Sequence, residues 1–130
     1  MKKGVLILII VLVVVAVILL RSFNGGEDNW IKDSRGVYIK HGNPSQTPNY
    51  VVEQQKVITD ALALYNQKKA EQMNFSSQCL GTIDSYVVDI VHVPRNSEDN
   101  LAENQCEDYK SGLISHFIEL NKDGNIIRIV

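Results

Sequence analysis

Charge is absent from residues 5–20 of this 130-residue chain, and nothing else in the sequence is as informative. Other absences narrow the chemistry. There is no Gly-x-Ser-x-Gly, no His-Glu-x-x-His and no phosphate-cradling glycine loop, so the common hydrolase, metalloprotease and nucleotide-binding signatures are missing. There is no Cys-x-x-Cys, and the two cysteines present make at most half a zinc site. Basic excess is also lacking. Setting aside Lys2 and Lys3, 11 basic residues face 15 acidic ones, a formal charge of −4, which argues against a nucleic-acid binder that must neutralise phosphate. No internal repeat or low-complexity tract interrupts the chain, and no cofactor is expected.

What stands in the charge-free stretch is Leu, Ile, Val and one Ala, bounded by Lys2-Lys3-Gly4 and Arg21. A helix satisfies its own backbone hydrogen bonds and here shows only apolar side chains, which suits hydrocarbon. From Gly4 to Leu20 such a helix reaches roughly 25 Å, near the short limit for a bilayer span. A cleaved secretory signal would have a shorter apolar core and small residues at the cut, whereas Arg21-Ser22-Phe23-Asn24 follow here. No cysteine follows the run, which excludes a lipoprotein signal. Lys2-Lys3-Gly4 resembles a pilin leader processed after Gly4, but Ile9 stands where many bacterial pilins carry glutamate, and Asn24-Gly25-Gly26 should break the helix. The expectation is a retained single-pass anchor at residues 1–21, a flexible linker at 22–29 and an outer domain at 30–130.

Orientation rests on weaker features. Lys2 and Lys3 lie before the run, and Arg21, Lys32, Arg35 and Lys40 lie after it, so positive charge alone does not decide. Two cysteines and the Asn74-Phe75-Ser76 glycosylation sequon favour a cytoplasmic N-terminus with the C-terminal domain outside the cell membrane. The bilayer is then one partner, and a protein of the envelope is the other partner expected.

In the outer domain, Trp30-Ile31 and Val37-Tyr38-Ile39 flank a turn and read as a hairpin. Thr47-Pro48 reads as a helix start, and apolar residues at Val51, Ile58, Leu62 and Tyr65 recur at helical spacing to about Gln72. Beyond it, residues 82–93 are rich in β-branched residues and read as one covered strand. Residues 112–120 and 125–130 give two more, joined by the hairpin signal Asn121-Lys122-Asp123-Gly124. The fold class is α+β, with one long helix on an antiparallel sheet in the order β-α-β-β-β.

That order over residues 36–130 resembles the cystatin-like arrangement. The inhibitory Gln-Val-x-Ala-Gly loop is replaced by Pro94-Arg95-Asn96, so cystatin activity is not implied. The segments Gly36-Val37-Tyr38-Ile39-Lys40-His41-Gly42, Ser77-Gln78-Cys79-Leu80-Gly81 and Val88-Asp89-Ile90-Val91-His92-Val93-Pro94-Arg95 look like those of uncharacterised membrane-anchored archaeal proteins, a group with no activity attached.

Three constellations remain. Cys79 and Cys106 are expected to join as a structural disulfide, worth roughly 3–4 kcal/mol through lost unfolded-state entropy, with a redox or metal pair as the alternative. The connection holding Glu98, Asp99, Glu103, Glu107 and Asp108 reads as a solvated acidic face, since the calcium-loop spacing is absent. His92, His116 and His41, with Asp89 or Glu119, would make a small hydrolase or metal-dependent site only if they converged. The leading expectation is a tethered binding or envelope-assembly domain without a catalytic site.

Overall fold

The computed structural model describes residues 3–23 and 28–130, with the side chains of residues 21–23 left aside. Half of the expected linker, residues 24–27, and the first two residues of the chain lie outside the described residues. The chain divides into two compact units, one of residues 1–30 and 40–46 and the other of residues 31–39 and 47–130.

The first unit contains helix α1, Lys3–Phe23. Its 18-residue stretch Lys3–Leu20 has a mean hydropathy of 3.3 and none of it is buried, so the helix is long and apolar enough to cross a membrane. In the same unit, the Trp30 indole Nε1 donates to the Gln46 carbonyl at 3.0 Å, and the Asn43 N–H donates to Asp28 Oδ1 at 2.9 Å. Strands β1, Asn29–Lys32, and β2, Tyr38–His41, pair as the expected hairpin.

In the second unit, helix α2 spans Asn49–Ala70. Pro48 itself is the N-cap in extended geometry, one residue later than Thr47 would have placed the start. Val57, Ala61 and Tyr65 of α2 bury against a four-stranded sheet through Leu80, Val88, Ile90, Ile118, Leu120 and Ile129. Polar ties fix the hairpin turn to this core. Buried Gln54 accepts from the Tyr38 N–H at 2.8 Å and donates to the Gly36 carbonyl at 2.9 Å. The Ile129 N–H donates to the Arg35 carbonyl at 2.8 Å.

The α+β class is as expected, but the sheet is mixed. Its order is β3 (Gln78–Ile83), β4 (Tyr86–Ile90), β5 (His116–Leu120), β6 (Ile126–Ile129). Residues 82–93 do not form one strand, because Asp84 adopts a positive φ of 49° and turns β3 back into β4. The β4–β5 pair is parallel, so the chain must cross from one end of the sheet to the other between them. That crossing contains the 3₁₀ turns Ser97–Asn100 and Ala102–Asn104 and the one-turn helix α3, Glu107–Lys110. The β5–β6 hairpin turns at Gly124 (φ 81°), where a Cβ would stand 2.7 Å from the Tyr65 ring, while the Tyr65 hydroxyl donates to the Lys122 carbonyl at 2.8 Å.

Candidate functional site

Alternation along β4 sends Val88 and Ile90 into the core beneath α2, and therefore sends Val87 and Asp89 to the opposite face. That second face is not open. Val87 and Val91 are buried, and the crossing between β4 and β5 lies over the sheet. The cover is pinned at several points. Cys106 is joined to Cys79 with a Cα–Cα distance of 4.9 Å, Thr82 Oγ1 donates to Asp108 Oδ2 at 2.8 Å, and Ser77 Oγ donates to the Glu98 carbonyl at 3.2 Å. Between cover and sheet lies a cleft of about 370 Å³ lined by Asp89, Arg95, Asn104, Tyr109, Glu119 and Arg128 among others.

The strand registers place a polar row across the floor of this face. Cys79 on β3 is opposite Asp89 on β4, Asp89 is opposite Glu119 on β5, and Glu119 is opposite Arg128 on β6. A bulge beside Cys79 and another beside Glu119 break the ladder at both ends of the row, as bulges often do where side chains must be re-aimed. Glu119 is buried and accepts charge-assisted hydrogen bonds from Arg95 Nη1 and, at 3.2 Å, from Arg128 Nε. The Arg128 guanidinium also covers the Phe117 ring, 4.7 Å from its centre.

Asp89 has a different setting. Its Oδ1 lies 3.2 Å from Cys106 Sγ. Burial pushes its carboxyl up to about 7, the Glu119 charge adds to the rise, and the Arg95 guanidinium opposes it. Cys79, Asp89 and Cys106 bring their ligand atoms within 4.8 Å of one another, but the two sulfurs are spent in the disulfide and offer no thiolate to a metal.

Asp99 belongs to the same cover. Its side chain is 0 % exposed. Burial pushes its carboxyl up, but N–H groups of Asn96 and His92 and the His92 ring together bring it below its usual value. Oδ2 takes the Asn96 N–H at 2.9 Å while the Asn96 side chain takes the Glu98 N–H, closing a capping box. The acidic connection is therefore a solvated face at Glu107, whose side chain is 81 % exposed, and a buried structural element at Asp99.

The histidines do not share the cleft. His92 Nδ1 is 2.9 Å from Asp99 Oδ1, and its ring lines a separate hollow of about 220 Å³ with Phe75 and Lys122. His116 stands opposite Tyr86 at the other end of the parallel pair, roughly 20 Å from His92 by strand rise. There it lines a third cleft with Tyr38, Tyr50 and Tyr86. His41 ends β2, is exposed, and lies in the first unit. Of the candidates for a histidine–carboxylate site, Asp89 and Glu119 line the 370 Å³ cleft and the three histidines do not. Asn74 is exposed just before β3, as a modification sequon requires.

Arg95, Arg128 and Asp99 carry site roles that sequence reasoning missed. The available signal was the single acid inside each of two apolar runs, Val87-Val88-Asp89-Ile90-Val91 and Phe117-Ile118-Glu119-Leu120. Compared with family models, curated proteins and solved structures, the chain matches none.

Proposed function

We propose that this protein is a single-pass, membrane-tethered domain that displays the cleft on the second sheet face outside the cell and binds an envelope partner there. The observation that carries the reading is the row Asp89, Glu119, Arg128 on a rigid sheet, closed over by a pinned cover. Buried acids on a strand are costly to keep, and a solely structural face would be more stable with apolar residues. Perturbed carboxylates grouped in a cleft are a recurrent mark of functional sites. The helix Lys3–Leu20 supports the tether, and the disulfide supports an oxidising compartment beyond the membrane. A cytoplasmic N-terminus is the orientation consistent with both.

The test places a photo-cross-linking residue at Asn104, in the cleft, or at Leu113, 77 % exposed and outside it, in the full chain in its native membrane. Discrete adducts from position 104, lost when Arg128→Ala is added, are expected. Equal adducts from both positions, or none from 104, would overturn the reading.

One observation favours a second reading, a small hydrolase. Burial pushes the Asp89 carboxyl up to about 7 beside a carboxylate that two arginines hold, the pairing of unlike acids that general acid catalysis uses. In that reading Asp89→Asn abolishes turnover and leaves partner capture intact.

A further inference from the structure

The bond between Cys79 and Cys106 lies beside this cleft and has surroundings a purely structural staple does not need. We propose that the Cys79–Cys106 disulfide exchanges with an external thiol, and that Asp89 hands its proton to the Cys106 sulfur as that sulfur leaves.

Access decides which sulfur is attacked. Cys106 is 2 % exposed, whereas Cys79 is half-buried at the start of β3, so an incoming thiolate reaches Cys79. The leaving sulfur is then Cys106, and three oxygens lie close to it. The Gly81 carbonyl is 3.7 Å away, the Val88 carbonyl 3.8 Å, and Asp89 Oδ1 3.2 Å. A thiolate formed beside three oxygen acceptors in a buried site would be strongly disfavoured. A carbonyl has no proton to give. The Asp89 carboxyl does, and it already points at the sulfur.

An external thiolate RS⁻ forms a bond to Cys79 Sγ, and the electron pair of the old S–S bond moves to Cys106 Sγ. The Asp89 carboxylic acid protonates that sulfur and becomes a carboxylate. The products are a Cys79–S–S–R mixed disulfide and a neutral Cys106 thiol, now able to donate to Asp89. A second external thiolate completes the reduction by releasing Cys79 and forming RSSR, so the reductant is a low-molecular-weight thiol or a protein dithiol.

The groups that face Asp89 set when it carries a proton. Glu119 from β5 raises its affinity for the proton, Arg95 from the crossing lowers it, and the Cys79 and Cys106 sulfurs from β3 and the crossing are neutral while bonded. Arg128 from β6 reaches this row through Glu119, and Tyr109 of α3 lines the same cleft. Asp89 is therefore a proton donor below about pH 7 and a bare carboxylate above it.

The experiment uses the full chain in detergent micelles, 2-mercaptoethanol as the thiol, and rapid alkylation followed by intact mass to follow opening from pH 5.5 to 9. Rates are divided by the fraction of probe present as thiolate. For the natural sequence this corrected rate should fall about tenfold as pH rises through 7, and peptide mapping should find the probe on Cys79. Asp89→Asn should give a flat profile, about tenfold slower at pH 6. A flat profile in the natural sequence, attachment to Cys106, or opening no faster than global unfolding measured by amide exchange would overturn the proposal. Should Asp89→Asn not fold, the natural profile and the mapped cysteine decide alone.

Discussion

Asp89 and Glu119 are direct neighbours across the parallel β4–β5 ladder, yet they meet opposite surroundings. Glu119 is gripped by Arg95 and Arg128, while Asp89 faces a disulfide sulfur and is pushed up to about 7 by burial and by Glu119. Two acids one strand apart thus differ in what they can do. One is fixed by two arginines, and the other is pushed toward the protonated form.

That difference makes stability depend on pH in an unusual direction. Asp89 binds its proton more tightly folded than unfolded, so its contribution is fully present below about pH 4 and is lost as pH rises through about 7. Thermal or urea melts should therefore show this stabilisation fading between about pH 4 and pH 7. In Asp89→Asn that slope should disappear, with the variant close to or above the natural protein at pH 8.

Asp99 has the opposite sign. Its carboxyl is held below the usual value, so its stabilisation is present above the ordinary value of 3.8 and is lost on acidification below it. Asp99→Ala removes the acceptor of the Asn96 and His92 N–H groups and opens the capping box. A loss of about 1–3 kcal/mol is expected at neutral pH, read from denaturant midpoints, with faster amide exchange at His92.

Gln54 is the polar pin between α2 and the hairpin turn. Gln54→Leu keeps the bulk but leaves the Tyr38 N–H and the Gly36 carbonyl without their partner. The expected cost is about 1–3 kcal/mol. Amide exchange at Tyr38 should accelerate more than at core strand residues such as Val88, which separates this from general loosening.

Removal of residues 1–23 tests the tether. The shortened protein should leave the membrane pellet for the soluble fraction after alkaline extraction, with the full chain remaining in the pellet. Release of the full chain would contradict a retained anchor, and a mature N-terminus beginning after Gly4 would favour pilin-like processing.

How much of this was legible depended on how local each signal is. The α1 run, the α2 stripe and the Asn121–Gly124 turn announce themselves within a few residues, and all three are present. The division of residues 82–93 was hidden because Asp84-Ser85 lies among β-branched residues with no glycine, and the turn is made by Asp84 at positive φ. The parallel β4–β5 pairing was hidden because register is a long-range choice with no local mark. The cleft followed from that choice, since it alone sets Asp89 beside Glu119 and lays the Cys106 segment over both. The histidines were conspicuous by type, but strand register places His92 and His116 at opposite ends of the sheet.

On the reading proposed above, the second sheet face is a working site whose reactive group is the Asp89 carboxyl in its acid form. Carbon-13 NMR of the aspartate side-chain carboxyls in the full chain, titrated from pH 3 to pH 9 and assigned with Asp89→Asn, tests it most directly. A midpoint for Asp89 near 7, with the chemical shift of Cys106 moving in step, is the expected result. A midpoint in the ordinary range near 3.8, with no response at Cys106, would contradict it.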